Sequence, residues 1–290
     1  MPEVTCPGLP ASWVNAWLAA VGATVLDSRI RLRWTEGAPV AVLSARRVDP
    51  VAALAASWPD EDVLSDLPIA ERWNDTPPMP RTVSVDAFIE RARAVRGHPY
   101  SWALSSTMTD LALDGSGNVA HAPFDPAGPG TIKWLHHRLQ KVHGKVEPSP
   151  ERLMDSLAGR AERIKDNGLG FDLTRMGSQS DAAGRAVDPV IEVLAFFGLA
   201  LLPVRGEGTE RASAVQRGWR HRRFRWPAWS PPLDHVGIDA LLDAWKPDEG
   251  GWSLMGVHAA WHSVRFMPRA TADATRGFGS RRLPEPANLR

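Results

Sequence analysis

Cysteine is almost absent: Cys6 is the single one in 290 residues. One thiol forms neither an internal disulfide nor a multi-cysteine zinc site, so the fold has to stand on packing. Tyrosine is as scarce, with one Tyr against 13 Trp. An excess of either charge is missing too. The 34 basic and 33 acidic residues leave a net charge of +1, so only a local patch could draw this chain to nucleic acid. Long hydrophobic runs are lacking as well. The longest, Pro189 to Pro203, is too short to span a bilayer and carries Glu192, which makes it a core helix. The first residues, MPEVTCPGLPASW, have no basic stretch followed by an apolar one and so do not read as a secretory signal. A cytoplasmic protein with no membrane contact is expected.

Catalytic signatures are missing in the same way. There is no G-x-x-x-x-G-K-[ST], and the nearest string, GPGTIKW, has the wrong spacing. No H-E-x-x-H, G-x-S-x-G, C-x-x-C or dinucleotide glycine fingerprint occurs. Catalytic groups can converge from distant positions, so an enzyme is disfavoured rather than excluded. The chain reads as a binding component without a cofactor.

What is present is an ordinary globular composition, 43% apolar and 23% charged. Trp13, Trp17, Leu18 and Val21 recur at helical spacing between Pro10 and Gly22, with Ser12 as N-cap and Gly22 as stop. Ile30, Leu32 and Trp34 alternate with Arg29, Arg31 and Arg33, a half-buried strand that pairs with Pro39–Ser44 in a hairpin. Asp49 to Trp73 is helical and acidic, TPPMP at 76–80 a linker, and Val85–Arg96 an amphipathic helix ending at Gly97. DGSGN at 114–118 turns a second hairpin, and DPAGPG at 125–130 is a loop. Helices are expected over 131–143, 150–165, 190–202 and 238–245, and strands over 219–226 and 252–267. The last two dozen residues read as a mobile tail. The fold class expected is mixed α+β, several helices packed with short antiparallel sheets and no Rossmann or P-loop signature. Three regions suggest themselves: an N-terminal α+β region over 1–146, a C-terminal α+β region over 147–264 and an Arg/Pro/Gly-rich tail over 265–290, with a single domain as the alternative.

Four constellations could carry chemistry. His136 and His143 share a helix face beside Lys133, His137 and Lys141, and read as a solvated basic face. His258 and His262 lack a third metal ligand in sequence and read as partly buried. Asp110, Asp172, Asp181 and Asp188 could form a carboxylate cluster for a metal-dependent nuclease, although Asp188 before Pro189 is more simply an N-cap. No metal site is expected. The loop around Ser178, Gln179 and Ser180 precedes the buried helix and could hold an anion on its amides.

The most informative stretch is RGWRHRRFRWPAW, from Arg217; residues 211–229 hold six arginines and no acid. Guanidinium forks match phosphates, and indole faces stack on bases. As one strand it would put Arg220, Arg222 and Trp226 on one face and Trp219, Arg223 and Arg225 on the other. Arginines on both faces need neutralising, by acids of the chain or by an anionic partner. The nucleic-acid-binding set expected is Arg217, Trp219, Arg220, Arg222, Arg223 and Arg225, with Lys133, His137 and Lys141 as a second basic element.

Four blocks, GLPASWVNAWLAAVGATVL (8–26), SWALSSTMTDLAL (101–113), GFDLTRMGSQSDAAGRAVDPVIEVLAFFGLALLPVRG (170–206) and RGWRHRRFRWPAWSPPLDHVGIDALL (217–242), together resemble accessory and large-subunit-like proteins of type I-G (I-U) CRISPR systems. The resemblance implies a non-catalytic part of an RNA-guided antiviral interference complex. Its partners would be CRISPR effector subunits and guide RNA or target DNA. It includes no catalytic residue, and at 290 residues the chain is short for a typical large subunit, so a reduced or accessory role is equally reasonable. A protein–protein adaptor without nucleic-acid contact is the alternative, with a metal-dependent nuclease behind it.

Overall fold

The computed structural model describes residues 1–70, 73, 83–113, 116–121, 132–166, 168–169, 186–205, 215–216, 219–220, 223–266 and 277–286. In chain order the elements are β1 (Glu3–Pro10), α1 (Val14–Leu26), β2 (Ile30–Trp34), β3 (Val40–Ala45), α2 (Pro50–Ala56), α3 (Glu61–Asp66), α4 (Val85–Ala94), α5 (Trp102–Ser105), β4 (Met108–Leu113) and β5 (Val119–His121). There follow α6 (Ile132–His143), α7 (Pro150–Leu157), β6 (Ile164–Lys165), β7 (Ala186–Val187), α8 (Pro189–Gly198), β8 (Val204–Arg205), β9 (Val215–Gln216), β10 (Trp219–Arg220), β11 (Arg223–Trp229), α9 (His235–Ala244), β12 (Val257–Phe266) and β13 (Gly277–Leu283). The pairings are antiparallel: a three-stranded sheet in the order β1-β3-β2, a four-stranded sheet β10-β11-β12-β13, and three two-stranded pairs. The protein is mixed α+β. No described helix is long and apolar enough to cross a membrane.

At the centre, α1 packs along α8. Eleven consecutive residues of α1, Val14 to Thr24, are buried, and so is every residue of α8. Helices apolar all round belong inside a core. Gly22 does not stop α1 as expected, since the helix runs on to Leu26. A Cβ at Gly22 would overlap the Leu194 carbonyl oxygen, and one at Gly198 would overlap that of Leu18. A glycine inside a helix costs about 1 kcal/mol against alanine, and here it lets two backbones touch. Ser12 does not cap α1 either; Trp13 holds that position, without a side-chain hydrogen bond.

Indoles join the four-stranded sheet to α1, to the turn before it and to β2. Trp17 Nε1 donates to the Pro227 carbonyl at 2.9 Å, Trp226 Nε1 to Ala11 at 2.7 Å, and Trp229 Nε1 to Leu32 at 3.0 Å. The Trp229 ring meets two others edge to face, Trp17 at 6.5 Å and Trp34 at 6.1 Å. Most of the tryptophan excess is therefore core. Apolar side chains from both sides of position 146 meet in one cluster, from Cys6 to Trp261.

Several expected elements differ in extent. The acidic helical stretch is two short helices, α2 and α3, each capped by an aspartate, Asp49 and Asp60. Ser149 caps α7, and Pro150 opens it as expected, but the helix closes at Leu157, before the left-handed Gly159 (φ 74°). Trp219 to Trp226 is not one exposed strand: Arg220 pairs with Arg223, so β10 and β11 are separate strands, and β11 lies inside the sheet. Residues 277–283, in the stretch expected to be a mobile tail, form β13 and pair with β12 over seven residues. The 76–80 and 125–130 loops lie outside the described residues.

Gly22→Ala should lower stability by about 1–3 kcal/mol or more, as overpacking does, read from the urea midpoint. Gly144→Ala, whose Cβ would meet its nearest neighbour at 3.4 Å, should stay within about 0.5 kcal/mol of wild type.

Candidate nucleic-acid interface

Successive side chains of a strand point to opposite faces, and β11 uses both. Phe224 and Trp226 are buried and stacked, with centroids 5.4 Å apart. Between and beside them stand Arg223, exposed, and Arg225, half-buried. The Phe224 N–H donates to Ser263 Oγ at 2.8 Å, which fixes β12 alongside. Across the sheet Arg225 pairs with His262, and His262 with Arg281. Given the spacing of strands and of alternate residues, Arg223, Arg225, His262 and Arg281 fall within a patch about 10 Å across.

Among the described residues this patch carries three guanidinium groups, with the carboxylate of Asp248 set against one of them. Arg225 Nη1 donates to Asp248 Oδ1 at 2.6 Å, while its buried Nε finds no acceptor among the described residues. Arg223 and Arg281 are exposed and form no ion pair among the described residues. Burial, followed by the charges of Arg223, Arg225 and Arg281, pushes His262 below the usual histidine range. The same three charges thus act at one point.

Of the residues expected to bind, Arg223 and Arg225 belong to this patch. Trp219, Arg220 and Lys133 are described by backbone alone: Trp219 is in register with Phe224, Arg220 with Arg223, and Lys133 lies in the first turn of α6. Arg217, Arg222 and the loop Ser178, Gln179 and Ser180 lie outside the described residues. His137 is exposed, and Lys141 Nζ is paired with Asp166 at 2.5 Å, so an acid of the chain already answers that lysine. The second basic element sits on α6, which packs against α8 and α3. Trp226, expected beside Arg220 and Arg222 on a stacking face, is instead buried and bonded to Ala11.

The other constellations hold structure together. His136 and His143 are not a solvated face: His136 Nε2 bonds the Leu64 carbonyl at 2.9 Å, and His143 Nε2 that of Pro59 at 2.7 Å. Together they tie α6 to the chain before and within α3. Asp188 caps α8, accepting from the Val190 N–H at 3.0 Å and from Ser156 Oγ at 3.1 Å, and burial pushes its carboxyl up. Asp110 is described by backbone alone, and Asp172 and Asp181 lie outside the described residues. Among the described residues no three His, Cys, Asp or Glu side chains group to hold a metal. His98 does face Asp66, Nε2 to Oδ2 at 3.0 Å, but its Nδ1 accepts the Tyr100 N–H, so neither ring nitrogen is left to activate a nucleophile. Burial pushes the Cys6 thiol up to about 12, far from a reactive thiolate.

Sequence reasoning missed His262 and Arg281 as members of the patch. Their neighbours in space come from strand pairing, to which local spacing gives no access. Compared with known proteins, the chain matches no family model, no curated sequence and no solved structure.

Asp248 acts as an internal counter-ion for Arg225. Asp248→Asn should therefore raise affinity for a phosphate polyanion by roughly three- to tenfold at low salt, and the variant should elute later than wild type from a heparin column.

Proposed function

We propose that the chain is a non-catalytic binding component that holds a phosphate-bearing strand, RNA or DNA, against the outer face of the four-stranded sheet. The observation that carries this is the cross-strand row Arg225, His262 and Arg281, flanked by Arg223 and opposed by the carboxylate of Asp248. Clustered guanidinium groups repel one another, and a polyphosphate relieves that repulsion while accepting paired N–H bonds. The blocks that resemble type I-G CRISPR-associated proteins supply the setting. There the partners are effector subunits with guide RNA or target DNA; base pairing reads the sequence, and protein surfaces hold the backbone.

An adaptor without nucleic-acid contact would have near-neutral charge and abundant tryptophan as its cues, and the second of these is weakened by where the indoles lie. Trp17, Trp34, Trp226, Trp229 and Trp252 are buried and serve packing. Leu254 is 91% exposed, but one exposed leucine does not make a docking patch. A nuclease needs converging carboxylates, and Asp188, the one of the four whose side chain is described, is engaged in capping.

Replacing Arg223 and Arg281 together by Glu should weaken binding of a labelled single-stranded oligonucleotide at least about tenfold at low salt. The slope of log affinity against log salt should also flatten by about 0.7 for each phosphate that the variant no longer neutralises. Unchanged affinity in the folded double variant would sink the proposed face. Absence of oligonucleotide binding by the folded wild type would favour an adaptor, and binding that ignores salt would overturn phosphate contact as its basis.

A further inference from the structure

The middle of the cationic row is not an arginine but a histidine, the one member whose charge can change near neutral pH. His262 is half-buried, opposite Arg225 on β11 and Arg281 on β13, with Arg223 also acting on it. On its own strand the nearest polar partner is the Ser263 carbonyl, 3.3 Å from Nδ1. A carbonyl only accepts, so Nδ1 carries the hydrogen, and Nε2 is the atom left to take a second proton. No carboxylate bears on the ring among the described residues, and Asp248 is turned to Arg225. Partial burial, followed by three fixed positive charges, holds the ring below the usual histidine range, against the Ser263 carbonyl, which favours the protonated form.

We propose that binding of a phosphate-bearing strand to this face is coupled to uptake of one proton at Nε2 of His262, so that the grip tightens as the pH falls. The proposal rests on the function inferred above for the same face. A phosphodiester laid over the row cancels the field of Arg223, Arg225 and Arg281 at the ring. A solvent proton then adds to Nε2, and the imidazolium donates it in a hydrogen bond to a phosphate oxygen; no covalent bond to the ligand forms or breaks. Linkage fixes the sign: a group that takes up a proton on binding strengthens that binding toward acid. Burial and the arginine charges lower the proton affinity of the free ring, so the ring protonates below the ordinary histidine range in free protein and at higher pH once the anion is bound.

The test uses the full chain and a labelled oligothymidylate at constant salt, from about pH 8 to about pH 5.5, the span in which histidine titrates. Wild-type affinity should rise about three- to tenfold on acidification, the size one linked proton gives. His262→Gln should lose most of that rise, read as the ratio of its own acid and alkaline affinities. The same rise in wild type and variant overturns the coupling while leaving the face as a binding site; absence of binding by wild type at every pH overturns both. A second readout does not depend on the variant folding. The His262 ring proton followed by NMR in wild type should titrate at higher pH with oligothymidylate bound than without it, and an unmoved midpoint overturns the coupling.

Discussion

Two buried helices, α1 and α8, cross with glycine set against backbone, and a Cβ at either Gly22 or Gly198 would collide with the opposite chain. The rest of the molecule is arranged around that crossing. Its close approach leaves the remaining faces of α1 to other partners, and Trp17 reaches from one of them to the Pro227 carbonyl of β11. The sheet is held a second and third time by Trp226 on Ala11 and Trp229 on Leu32. A buried indole N–H without an acceptor would cost about 1–3 kcal/mol, so these bonds fix the angle at which β11 meets the core. They also fix which of its side chains face outward.

That orientation explains how one heptapeptide, RFRWPAW, does two jobs. Phe224 and Trp226 supply large apolar area to the interior, while Arg223 and Arg225 are left on the other side by the two-residue period of the strand. The adjacent strands extend the outer side with His262 and Arg281. Arg223 and Arg225 stand two residues apart on one strand face, with Arg281 two strands away, and these like charges repel one another. The core has to carry that cost when no anion is present. Asp248 offsets it at Arg225.

Where information is local, the sequence is legible. The β2–β3 hairpin follows from alternation, the start of α8 from Asp188–Pro189, and the end of α4 from Gly97, whose φ is 85°. The mixed α+β class follows from the same signals. What resists reading depends on contacts distant in sequence. Gly22 looks like a helix stop because its partner, the Leu194 backbone, is more than a hundred residues away. The β1 strand escapes because Pro7 and Pro10 lower strand propensity, a feature that an edge strand tolerates. Arg281 reads as part of a tail because glycines at 277 and 279 hide the strand signal, and only its pairing with β12 places it beside His262. The arginine run itself is conspicuous. Which of its neighbours are buried is not, since an exposed stacking strand and a core strand share the same aromatic letters.

A net charge of +1 and a cationic face are compatible because of where the acids stand. Asp49, Asp60, Asp188 and Asp234 each accept N–H bonds at the start of a helix, where the aligned backbone dipoles favour negative charge. Asp27 is bound to Arg29, Asp155 to Arg160 and Asp166 to Lys141. Carboxylates tied to helix starts and to nearby cations are not available to screen β11, whose own neighbourhood in sequence contains none between residues 211 and 229. Whole-chain charge therefore says little about this surface. The segregation of charge does, because the helices need their acids in place to be capped, and the outer face of the sheet stays positive as a consequence.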